Sequence, residues 1–132
     1  MTGETNLSIL IKTLQPVLNE GDYVFCCVQE LDNIDFNQLL FYFKENEGIT
    51  IVVGKEYADS NNLSYHNVFS WISLEVHSSL NAVGLTAAFS NALYEEGISC
   101  NVVAAFYHDH IFVGKADAEN AMETLQKLSA GR

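Results

Sequence analysis

The chain has 132 residues, of which 48% are hydrophobic, and its formal net charge is −11. This length suits one compact domain or two small modules, and the hydrophobic fraction excludes intrinsic disorder. The negative charge offers no attraction to nucleic acid or anionic membranes, so neither is expected as a partner. Without a stretch of ~20 apolar residues to span a bilayer, and without the pattern of a signal peptide, the chain is expected to be cytoplasmic.

Hydrophobic periodicity in the first half of the chain predicts a helix, two buried strands and a short second helix. Pro16 should kink or end the first helix near Gln15, because proline cannot donate the backbone hydrogen bond that a helix needs. The apolar face of that helix and the elements after it are Leu7, Leu10, Ile11, Leu14 and Leu18, strands Tyr23–Val28 and Ile49–Val53, and helix Glu56–Asn61.

The second half has a clearer pattern of strand, helix, two strands and helix. Its first strand alternates apolar with polar residues, and its first helix should stop at Gly97, since glycine readily adopts the left-handed conformation that ends helices. The elements are strand Val68–His77, helix Asn81–Glu96 with Leu85, Ala88, Phe89 and Ala92 as its stripe, strands Ile98–Tyr107 and His110–Val113, and a helix from Ala116 to Leu128 with Ala121, Met122, Leu125 and Leu128 facing inward.

A weak internal repeat connects the two halves. Residues 51–59 read IVVGKEYAD and residues 111–119 read IFVGKADAE, and each segment predicts a strand that turns at a glycine into a helix. A Glu-Gly pair also precedes both Tyr23–Val28 and Ile98–Ala105, although the distances to the later glycines differ. We interpret the chain as two modules, a degenerate one at 1–65 with an insertion near 30–47, and a second at 66–132.

The three cysteines are an odd count without a CxxC pair, which predicts buried, reduced thiols in strands rather than disulfides or a zinc site. Tyr23–Val28 and Ile98–Ala105 are apolar on both faces, and strands of this kind are covered on both sides. Helices can cover only one face of each antiparallel sheet in this α+β arrangement, so we expect a second sheet or a second copy of the chain, as in a homodimer, to cover the other.

From Trp71 to Val113 the sequence resembles the ACT domain, the ligand-sensing module of enzymes regulated by amino acids. The resemblance lies in a strand WISLEVHSS, a loop LNAVGLTAA, a helix ending in EEG, a strand ISCNVVAA and a hairpin HDH–IFV. The whole chain is similar to stand-alone bacterial tandem-ACT proteins of unassigned function. The resemblance implies two ferredoxin-like βαββαβ modules, antiparallel sheets with helices on one face, and a regulatory protein rather than an enzyme, without a cofactor.

The resemblance also implies a ligand site where the loop after the Val68–His77 strand meets the next helix. Backbone N–H groups at a helix N-terminus suit a carboxylate, and Gly84 lets a ligand or a strand approach closely. The alternative is structural: a side chain caps the helix, and Gly84 permits tight packing. The candidate ligand-binding residues are Ser78, Ser79, Leu80, Asn81, Val83, Gly84 and Leu85, with Asn101 and Asp109 to hold an amino or basic group.

Other chemistry is weakly indicated. His77, His108, Asp109 and His110 carry metal-ligand side chains, but polar turn residues are the more ordinary reading, so no metal is expected. A cysteine–histidine nucleophile pair is disfavoured because thiols in buried strands stay protonated, and the sequence has no phosphate loop or nucleophile elbow. The leading hypothesis is an amino-acid-binding regulator that acts on an unidentified partner protein. The alternative is an assembly or adaptor protein that uses its sheets only to associate.

Overall fold

The computed structural model describes residues 6–76 and 83–131, and the chain forms two compact units. We call the described residues of Met1–Asn19 and Ser70–Arg132 the split unit, and Glu20–Phe69 the middle unit. The elements in chain order are α1 (Leu7–Thr13), β1 (Gln15–Leu18), β2 (Tyr23–Val28), β3 (Leu39–Lys44), β4 (Ile49–Gly54), α2 (Lys55–Ser60), β5 (Phe69–Glu75), α3 (Leu85–Glu95), β6 (Asn101–Ala104), β7 (Asp109–Gly114) and α4 (Ala118–Ser129).

The sheet of the split unit has the strand order β1–β5–β7–β6, in which β1 pairs with β5 and β6 with β7 in antiparallel fashion. The inward faces of β5 and β7 pack with α1, α3 and α4 into one hydrophobic core. The side chains of this core that are fully buried are Leu10, Ile72, Leu74, Phe89, Leu93, Ile111, Val113, Ala121 and Leu125. The predicted α+β arrangement is therefore confirmed, and so is the inward face of β5.

The first helix ends at Thr13, close to the predicted end, but the residues after it form a strand that the sequence did not predict. Pro16 lies in β1 opposite Leu74, and Leu18, assigned to the helical face, lies in the same strand with 43% of its surface exposed. Proline is tolerated at a sheet edge because an edge strand leaves half of its N–H groups unpaired. The prediction for Leu18 is wrong because the chain turns extended at Leu14, so the helical period no longer applies.

The last two helices agree with the predictions in type and differ at their starts. α3 begins at Leu85, four residues later than predicted, directly after Gly84, whose φ of +96° lies in the left-handed region. It stops before Gly97, which also has a positive φ, of +73°, as the C-terminal glycine predicts. α4 follows a short 3-10 turn at Lys115–Asp117.

The middle unit has the strand order β3–β4–β2, and Tyr23 of β2 also pairs with Phe69. One face of these strands packs with α2 into a second core. The segment near 30–47, interpreted as an insertion, contains a 3-10 turn at Phe36–Gln38 and all of β3. The buried members of this core are Val24, Cys26, Ile51, Val53 and Ala58.

The two units share an order of strands, which corrects one part of the repeat. IVVG and IFVG both end a strand that runs through a glycine into a helical segment, as predicted. However, β6 forms a hairpin with β7 as β3 does with β4, so β3, and not Tyr23–Val28, is the counterpart of β6. The unequal glycine spacing arises from matching strands in different sheet positions. The module boundary between residues 65 and 66 stays a prediction.

The structure gives the burial of the three cysteines and of β6. Cys26 is buried in β2, Cys100 is only partly buried and lies just before β6, and Cys27 is exposed. The prediction of buried thiols in strands is therefore confirmed for Cys26, only partly met at Cys100 and wrong for Cys27. It is wrong for Cys27 because alternate residues of a strand point to opposite faces. β6 lies at the end of its strand order with Val102 36% exposed, so the partner expected to cover it stays a prediction. Across 6–76 and 83–131, every helix is too short or too polar to cross a bilayer.

Candidate functional site

The loop that enters α3 is the site predicted from the sequence, and the structure describes its last residues. Ser78, Ser79, Leu80 and Asn81 lie outside the described residues. Val83 is 82% exposed, and Gly84 occupies the position just before the helix. The carbonyl of Gly84 accepts the first helical hydrogen bond, from the N–H of Ala88 at 2.9 Å.

Position 84 requires glycine for two reasons, its backbone conformation and the space around it. Its φ of +96° strains any residue that carries a side chain, because the β-carbon then crowds the backbone. A β-carbon at Gly84 would also lie 3.1 Å from Cδ2 of Leu7 in α1. The structural role weighed for this glycine is therefore present, whether or not a ligand approaches it.

Leu85 contributes to the core rather than to an open surface. Its side chain is only 3% exposed and packs in the same cluster as Leu10 and Phe89. What Leu85 can present to a ligand is its backbone N–H, since the first N–H groups of a helix have no partner inside it. α3 has no acidic residue in its first turn, and Gly84 has no side chain with which to cap it.

Asn101 and Asp109 lie at opposite ends of the β6–β7 hairpin. Asn101 pairs with Phe112 and donates from Nδ2 to the Phe112 carbonyl at 3.1 Å, whereas Asp109 pairs with Ala104. The two positions are offset by three residue steps along the hairpin, about 10 Å at the usual rise. The hairpin therefore does not bring these two candidates together.

Asp109 is the more unusual of the two electrostatically. Burial raises the pKa of its carboxyl above the ordinary value, and the neighbouring His110 and His108 act in the opposite direction. A half-buried carboxylate of this kind gains more from a cationic partner than an exposed one does, because less water screens it.

Sequence reasoning missed a polar cluster formed by side chains of β5 and β7 together with Asn19, which directly follows β1. Trp71 Nε1 and Ser73 Oγ lie 3.0 Å and 3.1 Å from Nδ1 of His110, and Asn19 donates from Nδ2 to Ser73 Oγ at 2.9 Å. The alternation along Val68–His77 placed Trp71 and Ser73 on one face, but nothing in the sequence showed that β7 lies beside β5. The cluster is polar although Ser73 is only 5% exposed.

The tautomer of His110 follows from its partner. The indole N–H can only donate, so Nδ1 of His110 accepts and the ring proton of the neutral form sits on Nε2. Burial lowers the pKa of His110 below its ordinary value, helped by His108 and opposed by Asp109 and Glu75. The cluster therefore holds a neutral imidazole.

No arrangement of metal ligands is found among the described residues. Within 6–76 and 83–131 no three His, Cys, Asp or Glu side chains lie close enough together to hold an ion. His108 and Asp109 are neighbours of His110 along the hairpin, but His110 uses Nδ1 within the polar cluster. His77, the remaining member of the metal reading, lies outside the described residues.

Comparisons with known proteins identify the type of domain. Residues 2–70 and 68–127 each match a family model described as an ACT domain. A Vibrio cholerae protein of unknown function, described as a possible transport protein, has a crystal structure that is 44% identical with a TM-score of 0.85, covering 93% of this chain and 95% of that one. No curated protein matches the sequence.

More distant structures share the fold. A protein from Agrobacterium tumefaciens has a TM-score of 0.70 at 16% identity, covering 88% of this chain and 89% of that one. The ligand-free regulatory subunit of aspartate kinase from Thermus thermophilus has a TM-score of 0.64 at 9% identity, covering 89% and 97%. These likenesses confirm the ferredoxin-like α+β architecture that the resemblance implied.

Proposed function

The chain belongs to the ACT domain family, and from that membership we propose that it is a regulatory protein. It binds a small molecule and signals to a partner protein whether that molecule is bound. The proposed ligand is a single amino acid. The family match over both halves supports a regulatory role, and the Thermus thermophilus neighbour is itself a regulatory subunit. The single observation that carries the proposal is the start of α3 behind Gly84, where no side chain of the described residues caps the helix.

The N-terminus of α3 suits the carboxylate of an amino acid. α3 has 11 residues, no acidic side chain in its first turn and a glycine before it, so its first N–H groups and its dipole face no competing anion from these positions. Ser78, Ser79 and Asn81 are proposed to add hydrogen bonds, with Val83 beside them. Leu80 and Leu85 would contribute through the backbone.

The amino group of the ligand would be held by one of the two hairpin residues. Since Asn101 and Asp109 lie about 10 Å apart by strand rise, a single α-amino group contacts only one of them. Asp109 offers a half-buried carboxylate, and Asn101 offers its amide oxygen, because the amide nitrogen donates to Phe112. Comparing Asp109→Asn with Asn101→Ala distinguishes these two roles.

The test is a thermal-shift screen of the intact chain against all twenty amino acids, each at several millimolar. A ligand at about 100 times its Kd should add about 2.7 kcal/mol, a rise in Tm of several degrees. Asp32→Asn is the matched control for Asp109→Asn. Asp32 is exposed in the middle unit, and its substitution removes the same single negative charge. If none of the twenty raises Tm, the amino-acid proposal is wrong.

The raised pKa values of the Cys26 and Cys100 thiols favour a regulatory over a catalytic role. Burial raises the pKa of Cys26, and it raises the pKa of Cys100 to about 11. A thiol with such a pKa is a poor nucleophile near neutral pH, because the thiolate is the reactive form. Cys26 and Cys100 are therefore poorly suited to act as the nucleophile of a cysteine–histidine pair.

A second candidate function, assembly through the sheets, is favoured by the exposed edge of the middle unit. β3 reads LLFYFK and lies at one end of the strand order, with 67% of Phe43 and 37% of Tyr42 exposed. Phe36, just before the strand, is 70% exposed and contacts the ring of Tyr42. A long hydrophobic edge of this kind is normally covered, since it offers unpaired backbone groups to another chain.

We propose that this edge pairs with the same edge of a second copy to form a homodimer. Light scattering at micromolar concentration should give the mass of a dimer, and Phe43→Lys should shift it to a monomer. Tyr94→Lys is the control, because Tyr94 is 77% exposed on a helix rather than at a sheet edge. A monomeric unsubstituted chain would contradict this proposal and leave the ligand proposal untouched.

A further inference from the structure

A groove between α3 and α4 of the split unit is separate from the residues assigned to the ligand. Its cavity volume is about 300 Å³. Half-buried Ala88, Ala92 and Leu128 supply its apolar lining, while Asn91, Glu95, Glu96, Glu123 and Lys127 supply polar side chains that are exposed. The groove thus combines an apolar floor with a charged rim.

The rim carries an excess of negative charge at the place where a helix least tolerates it. Glu95 is the last residue of α3 and Glu96 follows it as the cap, and the last turn has no basic residue. The C-terminal end of a helix dipole is negative, so carboxylates there repel the exposed helix carbonyls. Glu95 and Glu96 therefore lie where a cationic side chain would stabilise the helix.

The charges that neighbour this end only partly compensate. Lys127 pairs with Glu123 at 2.9 Å within α4, and Asn91 donates to Glu95 at 3.0 Å. Three carboxylates and one ammonium group leave two negative charges around the groove. A positive group entering from outside meets two carboxylates and the helix dipole together.

We propose that this groove is the docking surface for a basic segment of the partner protein, in which one apolar side chain lies between lysine or arginine residues. The apolar side chain covers Ala88, Ala92 and Leu128, and the flanking cations reach Glu95, Glu96 and Glu123. A free amine satisfies the rim but leaves the floor uncovered, which favours a protein segment. The assignment rests on the proposed function only in that a regulator needs a partner.

The probe is a peptide with the sequence Lys-Lys-Leu-Lys-Lys, titrated into the ¹⁵N-labelled intact chain and followed by NMR. The expected result is a set of amide shifts concentrated in α3 and α4. The triple variant Glu95→Gln/Glu96→Gln/Glu123→Gln should weaken binding about tenfold, since exposed ion pairs contribute modestly and in sum. The control Glu30→Gln/Asp32→Asn/Glu56→Gln removes the same charge from the middle unit. It should weaken peptide binding less than about twofold.

The other outcomes overturn the assignment. Equal weakening in both triple variants would show attraction by net charge alone, and shifts outside the two helices would place the surface elsewhere. Lys-Lys-Gly-Lys-Lys and spermidine test the floor. Equally tight binding of the glycine peptide would show that no apolar side chain is needed, and equally tight binding of spermidine would show that the groove takes a free amine; either result overturns the proposal. None of these results depends on whether an amino acid binds at the α3 loop, so the two proposals fail separately.

Discussion

The indole Nε1 of Trp71 donates a hydrogen bond to Nδ1 of His110, with 3.0 Å between the two nitrogens and 5.7 Å between the ring centroids. Trp71 is the only tryptophan in the sequence, so the tryptophan emission of the chain comes from the indole of this pair. The bond exists only while Nδ1 is unprotonated, because indole nitrogen cannot accept. Protonating His110 therefore breaks a contact between β5 and β7.

We predict that lowering the pH through the titration of His110 changes Trp71 fluorescence and destabilises the fold. Burial lowers the folded-state pKa of His110 below the ordinary 6.5. The unfolded chain then binds the proton first, so this contribution to stability is present above pH 6.5 and is lost as the pH falls toward the folded pKa. Tryptophan emission and urea unfolding should be recorded between about pH 8 and pH 5.

Two substitutions distinguish this titration from others. His110→Phe should make the emission independent of pH in this range, whereas His66→Asn, at an exposed position, should leave the midpoint unchanged. Asp109 acts in the opposite direction in a lower window, because its raised pKa removes stability as the pH rises above 3.8. An unchanged midpoint in His110→Phe would mean that another group quenches Trp71.

We predict that Gly84→Ala lowers the free energy of unfolding by about 1–2 kcal/mol, the usual cost of a left-handed residue with a side chain. The contact with Leu7 adds to that cost, so Leu7→Ala in the same background should recover part of the loss. Gly54→Ala is the control, because its φ is −63° and its nearest contact to a new β-carbon is 3.9 Å. Urea denaturation of the unsubstituted chain and of these three variants measures each free energy of unfolding.

We predict that Phe89→Ala costs about 3–5 kcal/mol, because Phe89 is fully buried and its removal leaves a cavity in the core of the split unit. Tyr94→Ala on the same helix should change stability by less than about 0.5 kcal/mol, since 77% of that side chain is exposed. A comparable loss in both variants would contradict the described inward face of α3.

We predict that iodoacetamide modifies Cys27 first. Cys27 is exposed, whereas Cys26 is buried and burial raises the pKa of Cys100 to about 11, which leaves about one thiolate in a thousand at pH 8. Mass spectrometry should show one rapid addition that Cys27→Ser abolishes. Rapid modification of Cys100 in the folded protein would overturn its assigned burial.

Much of the fold was predictable because local patterns coincide with tertiary burial. Tyr23–Val28 is a strand with the predicted bounds, and Phe89 and Leu125 face inward as their helical spacing indicates. β1 was missed because Pro16 signals the end of a helix but gives no sign of the strand that comes next. β3 was missed because matching the repeat by its glycines placed Leu39–Lys44 in an insertion, although the segment is apolar up to its final lysine.

The candidate site was less accessible to sequence reasoning. Gly84 was identified, but its contact with Leu7 joins residues 77 positions apart, and no local pattern encodes that distance. The same is true of His110 with Trp71 and Ser73, which depends on the order in which strands lie in the sheet. Side-chain chemistry can be read from a sequence, whereas the neighbours that tune it depend on topology.

The two-segment build of the split unit has a consequence for synthesis on the ribosome. The middle unit is complete once Phe69 has emerged, whereas the split unit must wait for α4 at the C-terminus before its core can close. The points where the chain leaves and re-enters the split unit, Asn19 and Ser70, are nevertheless near each other, since the N–H of Asn19 donates to the Trp71 carbonyl at 2.9 Å. A short linker from Asn19 to Ser70 can therefore excise the middle unit, and circular dichroism of the remainder would show whether the two folding nuclei are autonomous.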